Sequence, residues 1–181
     1  MISRRTLVKA SVAGAAAMAI GGVAVRGISA SRSYDLAALV KEIGNMPLAE
    51  LRNKGGDWSV GQVFAHMAQS IDYSMTGYPQ MKSAAFRATA GSVAFHIFGA
   101  AGQMCHPLNE AIPGAPELSA ELTTEQGFAL LQQSSERFLA FRQQPRAHFA
   151  FGDLSLAQYE AAHCLHILNH LDAFTSTMTT V

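Results

Sequence analysis

Seven histidines carry most of the chemical promise in this 181-residue chain, and they are unevenly placed. His163, His166 and His170 crowd one stretch near the end, and His66 stands alone in an earlier one. On a helix, residues four apart differ by about 40° and lie one turn from each other, with Cβ atoms about 5–6 Å apart. His166 and His170 can therefore present two imidazoles to one ion. Metal sites in helical bundles draw ligands from facing helices, which makes His66 the natural third member. Three neutral imidazoles with an open position suit a divalent transition metal such as zinc, nickel or iron. His163 shares the same broad face and is a fourth ligand, a supporting partner or a surface residue. A His-x-x-x-His pair also arises on helices by chance, and a histidine on an apolar face is usually hydrogen-bonded in a structural role.

No other constellation competes with this one. Asp72, Asp153, Glu160 and Asp172 qualify as general acids or bases only by lying near the same helices, so no catalytic residue is assigned. Cys105 and Cys164 belong to no Cys-x-x-Cys pair, which removes a thioredoxin-like or c-type haem reading. An oxidising compartment permits a bridge between them, but a domain of this size needs no staple, and two small buried hydrophobes are the simpler reading. His148 precedes an aromatic turn and is expected to shape the cleft or cap a helix. His96 and His106 have no partner within the sequence pattern.

The elements that must position the histidines read as helices. Trp58-Ser59-Val60-Gly61-Gln62-Val63 supplies a capping box, Ser59 with Gln62, and an apolar staple of Trp58 and Val63. The helix it opens should run from Val60 to Ser74 and stop near Gly77 and Pro79. Thr123 and Gln126 repeat the box ahead of a helix that must end before Pro145. Ser155 and Gln158 repeat it again ahead of a helix reaching about Phe174. Tyr34 to Ile43 places Leu36, Leu39, Val40 and Ile43 on one side of a shorter helix.

Met81 to Gly102 is rich in Ala and Phe and interrupted by Gly91 and Gly99, so a broken or kinked helix is expected. That apolar segment is either core or the face of a homodimer. Between His106 and Glu121 lies a Pro-rich connector, long for a compact domain, that either covers a site or spans the bundle. No alternating run qualifies as a strand. The expected class is all-α, a bundle of four or five helices.

The first thirty residues stand apart. Ser3-Arg4-Arg5-Thr6-Leu7-Val8-Lys9 has the paired arginines of a twin-arginine export signal. An uncharged, weakly hydrophobic run from Ala10 to Val25 and the small residues Ser29 and Ala30 follow. That run is shorter than the roughly 20 residues a spanning helix needs, so membrane contact is expected only through the signal. The division is residues 1–30 as signal and 31–181 as one domain, with the twin-arginine translocon as export partner and the periplasm as destination. Such substrates cross folded, which commonly accompanies a metal or cofactor inserted before export. No organic cofactor is indicated. Removing Arg4, Arg5, Lys9 and Arg26 leaves nine of thirteen basic residues against thirteen acidic ones, a formal charge of −4. No basic stretch remains to follow a phosphate backbone, which excludes a nucleic-acid partner.

Four stretches together resemble the DinB-like, YfiT-type superfamily of four-helix bundles. They are Trp58-Ser59 through Ala65-His66-Met67-Ala68-Gln69-Ser70-Ile71, Ile112-Pro113-Gly114-Ala115-Pro116, His148-Phe149-Ala150-Phe151-Gly152-Asp153-Leu154-Ser155, and His166 to Phe174. Within that superfamily the chain is most similar to an uncharacterised subfamily, a domain of unknown function whose bacterial members often carry twin-arginine signals. Metal-binding members join one histidine on an early helix to a His-x-x-x-His pair on a late one, a pattern that His66, His166 and His170 match. The resemblance implies a helical-bundle fold and a metal centre, and by analogy with thiol-dependent transferases and hydrolases, metal-dependent chemistry. A cytoplasmic thiol cosubstrate sits poorly with export, which weighs against the transferase version. The alternative is a non-catalytic periplasmic module that binds a small ligand or a protein and keeps its histidines for structure.

Overall fold

The structure is a computed structural model that describes residues 34–176; the signal segment read at residues 1–30 lies outside the described residues. Five helices and one two-stranded ribbon make a mostly helical fold. In chain order they are α1 (Leu36–Gly44), β1 (Leu51–Asn53), α2 (Val60–Thr76), the interrupted α3 (Ala84–Phe86 continuing to Ser92–Ala101), α4 (Thr124–Ala140), α5 (Leu156–Leu171) and β2 (Phe174–Ser176).

Local chemistry fixes the starts of the long helices. In α2, α4 and α5 the hydroxyls of Ser59, Thr123 and Ser155 accept the backbone N–H of Gln62, Gln126 and Gln158. Each glutamine side chain accepts the cap residue's own N–H in return. The reciprocal pair satisfies donors that a helix start otherwise leaves open. Asp35 caps α1 in the simpler way, accepting from Ala38 N–H at 2.8 Å.

The apolar faces then meet. Leu36, Leu39, Val40 and Ile43 of α1 are all buried, as their spacing requires. The core joins them to Phe64 and Met67 of α2, Leu131 of α4, and Tyr159 and Ile167 of α5. Helices α2 and α4 approach to backbone contact near their starts: a Cβ on Gly61 would collide with the carbonyls of Leu122 and Thr123, and one on Gly127 with the backbone of Gly61. Farther along, Arg137 of α4 grips both oxygens of Asp72 of α2 at 2.9 Å, and Ser134 donates to the same carboxylate at 3.0 Å.

Helix α3 is interrupted up to Gly91 but, against expectation, runs on unbroken through Gly99. A turn of π-helix, Arg87–Gly91, separates its two α-helical parts. Gly91 lies where the Ala150 carbonyl presses so close that a Cβ would clash with it. Phe86, Val93 and Ile97 of this segment remain exposed.

Two further expectations are corrected. The fold is not purely α: β1 pairs antiparallel with β2, Leu51 opposite Ser176 and Asn53 opposite Phe174. Strands of three residues are too short for alternation to register in sequence, and their partners lie at opposite ends of the domain. For the same reason α5 ends at Leu171 rather than at Phe174. Asp172 N–H closes onto the Leu168 carbonyl and Ala173 N–H onto that of His170. Phe174 then leaves the helix, 2% exposed, to pack edge-on against Phe64 at 5.5 Å.

The connector after α3 contains no helix or strand between Gly102 and Thr123. It lies along α2, where the side-chain amides of Gln62 and Gln69 donate to the carbonyls of Leu118 and Pro116 at 3.1 and 3.4 Å. Connector residues Met104, His106 and Ile112 line one cavity with His66 and His166.

Candidate metal centre

His66 is carried on the inner face of α2, 3% exposed, and its ring lies 5.1 Å from that of Trp58. His166 and His170 stand one turn apart on α5, with ring centres 4.8 Å apart and their Nε2 atoms separated by 3.1 Å. The His66 ring is 5.0 Å from His166 and 5.2 Å from His170. One nitrogen from each of the three lies within 4.8 Å of the other two, an arrangement that can hold a metal ion. With metal–nitrogen bonds of about 2.0–2.1 Å and about 1.1 Å from nitrogen to ring centre, imidazoles at tetrahedral angles have centres about 5.1 Å apart. The observed separations fall at that value.

Electrostatics supports the same reading. Burial is the main cause that lowers the His66 imidazole from 6.5 to about 4 and His170 to about 3, and neighbouring histidines lower them further. Burial likewise holds His166 well below its ordinary value. All three rings are neutral at pH 7, the state in which imidazole ligates. His66 Nδ1 is buried without a hydrogen-bond partner. Two Nε2 atoms 3.1 Å apart need a proton or a cation between them. Donor type, spacing, protonation state and an orphaned polar atom all fit a divalent transition metal.

Two members of the cluster, His66 and His166, line a cavity of about 300 Å³ whose walls include Phe98, Met104, Ile112, Phe149 and Phe151, with Lys82 and Glu110 also lining it. The volume suits a small molecule, and the walls are largely apolar.

His163 and His148 line the same cavity as His66 and His166 but stand outside the three-histidine group. His163 is 2% exposed and ligates nothing with the trio: its ring stacks on Tyr159 at 5.4 Å and meets Phe138 edge-on. Its Nε2 lies 3.3 Å from Ser74 Oγ. That hydroxyl already donates to the Ile71 carbonyl at 2.6 Å, so it accepts from His163. His148, expected to shape the cleft or cap a helix, lines the cavity and caps no helix; it braces its own turn. Its Nδ1 accepts the N–H groups of Ala150 and Phe151, both at 3.1 Å, and its ring stacks on Phe151. His96 packs against Phe95 on α3.

The carboxylates are committed as well. Asp72 is held by Arg137 and Glu160 accepts the Leu36 N–H at 3.2 Å, whereas Asp172 closes the end of α5 through its backbone N–H. Cys105 is exposed and Cys164 buried, and both are free thiols. Trp58, expected to staple and pack, also sets its ring beside that of His66.

The residue that spacing does not reveal is His106. Its ring lies 4.9 Å from His166 and 5.1 Å from His170, and it lines the cavity beside them. The signal in the sequence was indirect: it opens the Pro-rich connector, whose path over the bundle has no periodicity to read.

Residues 31–177 match the sequence model of DUF1569, described as a protein of unknown function. No curated protein and no solved structure gives a significant match to the chain. With the match covering most of its length, the chain belongs to the DUF1569 family.

Proposed function

We propose that this protein binds one divalent transition-metal ion through His66, His166 and His170 and uses it on a small, largely apolar molecule admitted to the adjoining cavity, as a metal-dependent hydrolase or transferase. The observation that carries the reading is the convergence of three neutral imidazoles from two helices, two of which, His66 and His166, line a cavity. A metal ion held there supplies Lewis-acid chemistry. The chain's own part is to fix three nitrogens, to shield the centre with the connector, and to orient the substrate against the apolar walls. Zinc, nickel and iron all suit the donor set, because affinity for imidazole sites follows ligand type and geometry.

The test is elemental analysis of the protein purified without added metal, beside His66→Ala, His166→Ala and His170→Ala. About one equivalent in the parent and none in the variants is expected. A folded parent that takes up no zinc, nickel, iron or manganese overturns the reading.

A second reading is favoured by the scarcity of carboxylates at the cavity: among the described residues Glu110 alone lines it, while Asp72 and Glu160 are committed to structural bonds away from it. The protein is then a metal-loaded or metal-free module that binds a small ligand without chemistry. Ligand binding that persists in His166→Ala, with no turnover by the metal-loaded parent, selects it.

The wider setting belongs to the same proposal. The chain is a DinB-like bundle, a reading supported by one histidine on an early capped helix and a His-x-x-x-His pair on a late one. It is exported folded to the periplasm by the twin-arginine translocon, supported by Arg4-Arg5 and the uncharged run from Ala10 to Val25. Fractionation of cells expressing the parent and an Arg4→Lys, Arg5→Lys double variant tests export. Periplasmic parent and retained variant are expected, and equal retention of both overturns it.

A further inference from the structure

His106 comes from the connector rather than from a helix, yet its ring stands as close to His166 and His170 as His66 does. Its hydrogen bonding decides which nitrogen is free. His106 Nδ1 lies 2.8 Å from the carbonyl oxygen of Pro107. A carbonyl only accepts, so Nδ1 carries the proton and, in a neutral ring, Nε2 presents a lone pair. That Nε2 is buried and has no hydrogen-bond partner. A buried, unpaired nitrogen is costly unless something completes it.

A ligand histidine usually donates its remote N–H to a backbone carbonyl or a carboxylate, which fixes ring and tautomer. His106 and Pro107 show that arrangement. The connector that carries them is itself tied down: Met104 and Ile112 are buried on either side of His106, and Gln62 and Gln69 hold Leu118 and Pro116 farther along.

We infer that His106 is a fourth ligand of the centre, delivered by the connector through Nε2. This rests on the metal reading above and goes beyond it. His66, His166 and His170 group their ligand nitrogens without His106, so His106 completes the set when an ion binds, and a small molecule in the cavity competes with it for the fourth position. The connector therefore belongs to the metal centre as well as to its cover.

X-ray absorption of the full chain loaded with Zn(II) tests this without any variant. Four imidazole nitrogens around the zinc are expected. Three imidazoles completed by oxygen overturn the inference and leave the three-histidine reading standing, and three completed by sulfur assign the position to Cys105 instead. A full chain that binds no zinc overturns both. In parallel, His106→Ala should keep one equivalent of zinc with three imidazoles. Its affinity should be lower by at least the roughly 100-fold that loss of an outer partner can cost. Unchanged affinity and an unchanged imidazole count in that variant also overturn the inference, with the metal-free melting temperature confirming that the variant is folded.

Discussion

His66 on α2 and His166 on α5 hold their rings 5.0 Å apart and nearly perpendicular, at 77°. Neighbouring aromatic rings often pack edge-on in this way, but here the pair is closed by His170 and faces a cavity. Replacing His166 with Ala removes one corner of that triangle. The expected outcome is loss of bound metal and of the rise in melting temperature that metal confers on the parent. At a metal concentration 100 times the dissociation constant, that rise corresponds to about 2.7 kcal/mol. Thermal melts with and without Zn(II) check it.

Gly61 and Gly127 let α2 and α4 touch backbone to backbone, and the clash that a Cβ would make there is with carbonyl groups that cannot rotate away. Gly127→Ala should destabilise the metal-free protein by about 1–3 kcal/mol, the usual cost of overpacking. Denaturant unfolding measures it, and a variant as stable as the parent would show that the helices can separate at no cost.

His148 and His163 are buried and neutral, each lowered from 6.5 to about 3 chiefly by burial. Above pH 6.5 neither distinguishes folded from unfolded chain. Below it the unfolded chain takes up protons that the folded one refuses, so stability falls as pH drops from about 6.5 towards 3. The slope is about 1.4 kcal/mol per pH unit for each group. Denaturant unfolding of the metal-free protein at pH 7.5 and pH 5 should show the loss; equal stability at the two values would contradict it.

Asp72 is partly exposed and held by Arg137, an ion pair of the kind that contributes at most about 1 kcal/mol. Asp72→Asn should leave metal content unchanged and lower stability slightly. A loss of metal in this variant would link the clamp to the centre, contrary to its position in the fold.

Cys105 is exposed, whereas burial, assisted by Glu160 and Asp35, pushes the Cys164 thiol up to about 12. Native protein treated with a thiol reagent at pH 8 should show one fast-reacting cysteine, with the second reacting only after unfolding. Two fast thiols, or none, would contradict the assignment.

The helices and their caps were legible in the sequence because each is decided within a few residues. Ser59 and Gln62, Thr123 and Gln126, and Ser155 and Gln158 are all local pairs. The buried face of α1 follows from helical period alone. The kink of α3 was legible in kind, since Gly91 weakens a helix wherever it stands, though its cause, the close approach of Ala150, was not.

By itself, then, the sequence determined the helical class, the start of each capped helix, and the pairing of His166 with His170 on one face. Tertiary structure decided the rest. Strands β1 and β2 exist only because the two ends of the domain meet, and Phe174 leaves α5 because Phe64 offers it a buried place. His163 looks like a ligand on a helical wheel, but Ser74 and Tyr159 occupy it from other elements. His106 looks isolated, but the folded connector sets it against His166 and His170. Periodicity and capping act over one or two turns of chain, whereas a metal centre is defined by which segments the packed core brings within a few ångströms of each other.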